Sequence, residues 1–171
     1  LRLYRQATRD PLTGLLNRRV MMERLNELTQ RWDKNNKRPP VSVLMLDLDR
    51  FKRINDTHGH LTGDKVLQAF SQIMKEELRS SDILTRYGGE EFAAILPGTS
   101  LDNAVRASER IRVRCEQSWV TSKDNEPVRF TISIGAGELK AGEDLNEVLQ
   151  RVDNSLYEAK KTGRNKVIQA S

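Results

Sequence analysis

Val41-Ser42-Val43-Leu44-Met45-Leu46-Asp47-Leu48-Asp49 decides how the chain folds. Apart from Ser42 it is apolar as far as Leu46, so an extended strand here would turn apolar side chains to both sides. That pattern predicts a central strand covered on both faces, as in a layered domain of strands and helices. Asp47 and Asp49 close the stretch, and the two-residue period of a strand points both carboxylates to one face. Like charges about 4 Å apart repel by roughly 4 kcal/mol at an effective dielectric of 20, so the pair calls for a cation between them or for solvent.

Upstream, Asp10-Pro11-Leu12-Thr13-Gly14 breaks any helix, because proline restricts the residue before it and glycine supplies a turn. A helix capped near Asn17 follows, with Met21, Leu25, Leu28 and Trp32 on one face, and polar Lys34 to Pro40 ends it. Downstream, Phe51 to His60 reads as a loop rich in donors and turn formers, and a second helix runs from about Thr62 to Leu78 with Leu67, Phe70, Met74 and Leu78 on one stripe. Ile83–Tyr87 and Glu91–Leu96 flank Gly88-Gly89, which suits a tight hairpin turn with positive φ. Ser100 caps a third helix carrying Ala104, Ala107, Ile111 and Cys115. Val128, Phe130, Ile132 and Ile134 alternate as a half-buried strand. A fourth helix uses Leu145, Leu149, Val152 and Leu156, Gly163 ends it, and Lys166 to Gln169 forms a last short strand. The order strand, helix, hairpin, helix, strand predicts an α+β fold, a mixed sheet with a βαββαβ core flanked by helices in an α/β sandwich.

The chain has 171 residues, 37% apolar and 31% charged, with a net charge of +5. That is one ordinary globular domain, large enough to close a core without disulfides. Positive charge favours an anionic partner. The basic residues are interspersed with acidic ones and only 5% are aromatic, which argues against a nucleic-acid platform. No apolar run reaches membrane-spanning length and no signal-peptide pattern opens the chain, so the segment is expected in the cytoplasm. Residues 1–9, with Leu1, Leu3 and Tyr4 among charges, predict the helical end of a missing upstream sensor region that would carry any membrane anchor, and residues 10–171 the domain proper. The lone Cys115 reads as a small buried apolar residue.

Glu90 and Glu91 follow the hairpin glycines. If the hairpin packs beside the first strand, Asp47, Asp49 and Glu90 form an all-oxygen cluster suited to Mg²⁺ or Mn²⁺ held together with substrate phosphates. His58 and His60 match no zinc spacing and read as structural. Lys52 is a candidate phosphate contact, and Asn55 with Asp64 offers an amide and a carboxylate to read a guanine edge. Neither a P-loop nor a dinucleotide fingerprint is present.

Taken together, Asp10-Pro11-Leu12-Thr13-Gly14, Asp47-Leu48-Asp49, Phe51-Lys52-Arg53-Ile54-Asn55-Asp56, Gly63-Asp64, Arg86-Tyr87-Gly88-Gly89-Glu90-Glu91-Phe92 and Tyr157-Glu158-Ala159-Lys160 to Gly163-Arg164-Asn165 resemble the GGDEF family of diguanylate cyclases over nearly the whole chain. The resemblance implies a palm-like, nucleotide-cyclase-type fold and a homodimer in which each subunit binds one GTP. It implies two Mg²⁺ or Mn²⁺ ions per site, held by Asp47, Glu90 and the Leu48 carbonyl with Asp49 close by. Phe51, Lys52, Lys160 and Arg164 would bind the triphosphate, Asn55 and Asp64 the guanine, Arg86 would neutralise charge near the reacting phosphate, and Glu91 is the candidate general base. Glu90 stands where the family name has aspartate, a variant found among active members. Arg79-Ser80-Ser81-Asp82 matches the family's product-inhibition motif, with Arg110 as a second contact for cyclic di-GMP. The alternatives are a catalytically silent module binding GTP or cyclic di-GMP, and a polymerase-like or adenylate-producing enzyme. Intact Asp47, Glu90, Lys52 and Asn55 weigh against the first.

Overall fold

The computed structural model describes residues 7–30 and 38–171. Trp32, Lys34 and the tail around Leu1, Leu3 and Tyr4 lie outside the described residues. Every residue of β2 (Val41–Leu48) is buried, as its two-sided apolar pattern requires. Its antiparallel neighbours are β4 (Glu91–Pro97) and β7 (Ile132–Glu138). β3 (Ile83–Arg86) pairs antiparallel with β4, while β1 (Leu16–Asn17) and β8 (Val167–Gln169) add parallel edges, giving the six-stranded mixed sheet β1-β3-β4-β2-β7-β8.

Alternation along β2 divides the core in two. Leu44, Leu46 and Leu48 pack with α3 (His60–Glu77) and α4 (Leu101–Glu116), where Phe70 meets Phe92 edge-on at 4.7 Å. Val43 and Met45 face the other way, onto Met21 and Leu25 of α1 (Arg18–Gln30) and Val148, Val152 and Leu156 of α5 (Leu145–Lys161). Helices thus cover both faces, as expected of an α/β sandwich. The caps fall where their side chains predict: Asn17 Oδ1 accepts from the Val20 N–H at 3.0 Å, and Ser100 Oγ accepts from the Asn103 N–H.

Gly135 fixes how closely α5 lies on the sheet. A Cβ there would stand 2.4 Å from the Val152 carbonyl oxygen and 2.7 Å from the Leu156 nitrogen, both backbone atoms that cannot step aside. This close approach carries the last turn of α5 to the end of β2.

Two expectations change. Phe51 to His60 is not a loop: Phe51–His58 forms the short helix α2, entered through Arg50 at φ 54, and α3 follows directly at His60. Only Ile54 of α2 is buried, so the segment lacks the apolar stripe that marks a helix in sequence. The alternating run at Val128 to Ile134 is two strands, β6 (Pro127–Arg129) and the start of β7. β6 pairs with β5 (Trp119–Thr121) in a separate two-stranded sheet. Among the described residues no helix is long and apolar enough to cross a membrane.

Candidate active site at the end of the central strand

Asp47 faces Glu91 directly across the β2–β4 pairing, and the next residue, Leu48, donates its N–H to the Glu90 carbonyl at 3.2 Å. The hairpin therefore packs beside the first strand, the condition for Asp47 and Glu90 to work together. Asp47 is buried, with its side chain 7% exposed, and Lys160 from α5 reaches its Oδ2 at 2.5 Å. Burial pushes the Asp47 carboxyl up to about 6. Lys160 opposes that rise, and the Glu90 and Glu91 charges add to it. A carboxylate held in this state gains from an incoming cation, and its hard oxygens beside those of Glu90 suit Mg²⁺ or Mn²⁺. Among the described residues no three His, Cys, Asp or Glu side chains converge closely enough to hold an ion. Substrate phosphates would have to complete the shell, as is usual for Mg²⁺.

Asp49, two residues on, is engaged differently. It accepts from Thr131 Oγ1 at 2.7 Å, Ser133 Oγ at 2.6 Å and the Asn165 N–H at 3.0 Å. Those donors use three of about four acceptor sites on the carboxylate.

The hairpin glycines serve a purpose other than the expected one. Neither Gly88 nor Gly89 is among the glycines with positive φ. A Cβ on Gly88 would lie 2.8 Å from Glu91 Oε2, whereas one on Gly89 would meet nothing within 4 Å. Gly88 makes room for the Glu91 carboxylate, and Gly89 leaves the turn open. Arg86 grips the turn from behind, donating from Nε and Nη2 to the Gly89 carbonyl at 3.1 and 2.8 Å and pairing through Nη1 with Asp10 at 3.0 Å. Asp10 is fixed in turn by the Thr13 N–H and hydroxyl at 2.8 and 2.7 Å. Arg86 is thus committed to bracing the signature turn. Asp10 and Thr13, read from sequence as a helix-breaking segment and as part of the family resemblance, belong to the same brace.

On the other side of Asp47, α2 carries Phe51, Lys52 and Asn55. Asn55 Oδ1 is buried without a hydrogen-bond partner among the described residues. A Cβ on Gly63 would fall 1.9 Å from that oxygen, so the glycine before Asp64 lets α3 close over the Asn55 amide. An orphaned buried acceptor is costly, by about 1–3 kcal/mol, and marks a place where a ligand donor is wanted. Lys52 is exposed, His58 ends α2 and His60 starts α3. Arg164 follows α5 in a left-handed turn at φ 63.

The family model described as diguanylate cyclase, GGDEF domain, matches residues 7–166. The chain belongs to the GGDEF family. It is 43% identical over 164 residues to the response regulator PleD of Caulobacter vibrioides, covering 95% of this chain but only 36% of that relative. The chain therefore spans little more than a third of that curated relative. Among solved structures it resembles the coiled coil and GGDEF domain of DgcB from Caulobacter crescentus in complex with c-di-GMP, at a TM-score of 0.92 and 33% identity, covering 99% of this chain and 88% of that one. It also resembles the active GGEEF domain of a diguanylate cyclase from Vibrio cholerae, at a TM-score of 0.83 and 31% identity, covering 92% and 98%.

The GGDEF domain has a second charged recess, a cleft of about 360 Å³ between the end of α3, the β4 end and α4, lined by Arg79, Asp82, Arg106 and Arg110. Asp82 accepts the Arg79 N–H at 2.8 Å, while Arg79 Nη2 also reaches the Pro97 carbonyl and Thr99 Oγ1 at 2.9 and 2.6 Å. Arg110 pairs with Glu77 at 3.2 Å. Arg106 carries no motif of its own in the sequence, and the signal for it is its place one helical turn before Arg110 on α4.

Proposed function

We propose that this GGDEF domain is a diguanylate cyclase, condensing two GTP into cyclic di-GMP with release of two pyrophosphates. Residues 10–171 form the catalytic domain. The observation that carries the reading is the buried Asp47 carboxylate, raised to about 6, set against the Glu90 turn. The orphaned Asn55 oxygen beside Gly63-Asp64 supports guanine as the base, because guanine offers an N–H edge that an acceptor can read. Likeness to an active GGEEF domain supports activity with glutamate at position 90.

In this reading Asp47, Glu90 and the Leu48 carbonyl would hold two Mg²⁺ or Mn²⁺ ions, and such ions would supply charge neutralisation on the phosphates and acidification of the attacking hydroxyl. Lys52, Lys160 and Arg164 receive the triphosphate over Phe51, and Asn55 with Asp64 orients the base. The ribose 3′-oxygen of one GTP bonds to the α-phosphorus of the other, the bond from that phosphorus to the β-phosphate bridging oxygen breaks, and pyrophosphate leaves. Glu91 takes the hydroxyl proton, and the step repeats to close the ring. Each domain presents one GTP, so turnover requires a homodimer. The product returns to the cleft of Arg79, Asp82 and Arg110 and restrains its own synthesis, and Arg106 adds a further cation there.

The test is incubation with GTP and Mg²⁺ over a range of protein concentrations, followed by chromatography. Cyclic di-GMP formed at a rate rising faster than linearly with protein supports the reading. GTP bound but never converted would leave a silent binding module. Arg79→Ala should weaken inhibition by added cyclic di-GMP far more than it changes the initial rate.

A further inference from the structure

Two consecutive residues after α5, Arg164 at φ 63 and Asn165 at φ 48, hold the left-handed conformation that side chains other than glycine disfavour. Asparagine tolerates it and arginine has no reason to, so the surroundings must impose it. Every hydrogen-bonding group of Asn165 on that side is engaged. Its N–H donates to Asp49 Oδ2 at 3.0 Å, its Nδ2 to Glu116 Oε2 at 2.6 Å, and its Oδ1 accepts from Arg112 Nη1 at 3.2 Å. Arg112 is itself fixed between Glu109 and Glu116, each at 3.0 Å. Asp49 is locked from the other side by Thr131 and Ser133.

We propose that Asn165, clamped between Asp49 and the Arg112–Glu116 pair of α4, is a positioning residue that sets Arg164 for the triphosphate, and that Asp49 serves this clamp and not the metal. The clamp ties the phosphate-binding turn to the same strand end that carries Asp47. Phosphate arm and metal carboxylate then share one rigid anchor, which a substrate bridging both requires. The inference rests on the diguanylate cyclase reading for its kinetic consequence, and on geometry alone for the clamp.

Asn165→Gly keeps the left-handed backbone and its N–H while removing both side-chain bonds to α4. In the intact chain it should raise KM for GTP by about tenfold with kcat changed by less than about twofold, the size expected for losing aligned hydrogen bonds. Combined with Arg164→Ala it should add nothing to that single change, because both act through one side chain. Asp49→Asn should bind Mn²⁺, measured calorimetrically at a saturating level of a non-hydrolysable GTP analogue, as tightly as wild type while raising KM. Additive kinetics, an unchanged KM in folded Asn165→Gly, or a loss of Mn²⁺ affinity of tenfold or more in Asp49→Asn would each overturn the proposal. Amide hydrogen exchange at Asn165 needs no substrate: protection in the wild type and its loss in Asp49→Asn support the clamp even if no cyclic di-GMP is made. An Asn165 amide that exchanges freely in the wild type removes it even if the enzyme is active.

Discussion

Two aspartates in this domain are almost equally buried, Asp47 with 7% of its side chain exposed and Asp82 with 3%, and each has a more exposed cation beside it, Lys160 and Arg79. Their surroundings differ in kind. Asp82 receives a main-chain N–H from Arg79, whose Nη2 also reaches Asp82, a carbonyl and a hydroxyl. Asp47 faces Glu90 and Glu91 as well as Lys160, and its carboxyl is pushed up to about 6. One region is knit together by hydrogen bonds and keeps its shape. The other holds charge at a cost that an added cation relieves. A recess that only binds can be of the first kind, whereas a centre that gathers ions around a reacting phosphate gains from the second.

The largest expected effect breaks the comparison at its costly end. Asp47→Asn or Glu90→Gln should lower the initial rate of GTP condensation by about 10³-fold or more, and Glu91→Gln by about 10²-fold, since charge stabilisation outweighs proton transfer in phosphoryl transfer. Initial rates at saturating GTP and Mg²⁺ decide it. A Glu90→Gln domain that keeps a tenth of the wild-type rate would remove Glu90 from the metal set.

The second effect concerns stability and has the opposite sign. The folded-state pKa of Asp47 is raised from 3.8 to about 6, so its contribution is most favourable below pH 3.8, where the group is protonated in both states. It is lost as pH rises through about 6, and by pH 7 the ionised group costs about 3 kcal/mol at most. Asp47→Asn should therefore stabilise the metal-free domain by about 1–3 kcal/mol at pH 7 and by less at pH 5, measured by urea unfolding in chelator. Mn²⁺ added together with a non-hydrolysable GTP analogue should stabilise the wild type more than the variant. Destabilisation by Asp47→Asn at pH 7 would mean that the Lys160 pair outweighs the desolvation.

What the sequence disclosed follows the same division. β2 was legible because an apolar run over both faces leaves it no exposed side, and the caps at Asn17 and Ser100 were legible because their partners lie three residues away. α2 was not, since only Ile54 is buried in a segment otherwise composed like a loop. The Gly88-Gly89 pair suggests positive φ, which neither residue adopts; what lies over Gly88 is the Glu91 carboxylate, a neighbour that backbone preference does not encode. Asp49 looked like the twin of Asp47 because their spacing is all the sequence offers. Its three donors stand 82, 84 and 116 residues away, and only the pairing of β7 with β2 and the return of the chain after α5 bring them in.

The smallest effect sharpens the comparison at its resting end. Arg110 lies 56% exposed and meets Glu77 through Nε at 3.2 Å, and Arg114 from the same helix also contacts Glu77, so the carboxylate keeps a partner when Arg110 is gone. An exposed pair with a substitute partner contributes little, and Arg110→Ala should cost less than about 1 kcal/mol in urea unfolding, with the initial rate near that of wild type. Affinity for cyclic di-GMP, measured by calorimetry, should nevertheless fall by about tenfold or more, because a guanidinium facing a phosphate or a guanine edge loses a charge-assisted bond. The contrast with Asp47→Asn is then complete: there a stabilising change removes function, and here a nearly neutral one removes a ligand. A destabilisation of Arg110→Ala well beyond 1 kcal/mol would show that α4 depends on this arginine for its packing, and that the cleft is less at rest than its hydrogen bonds indicate.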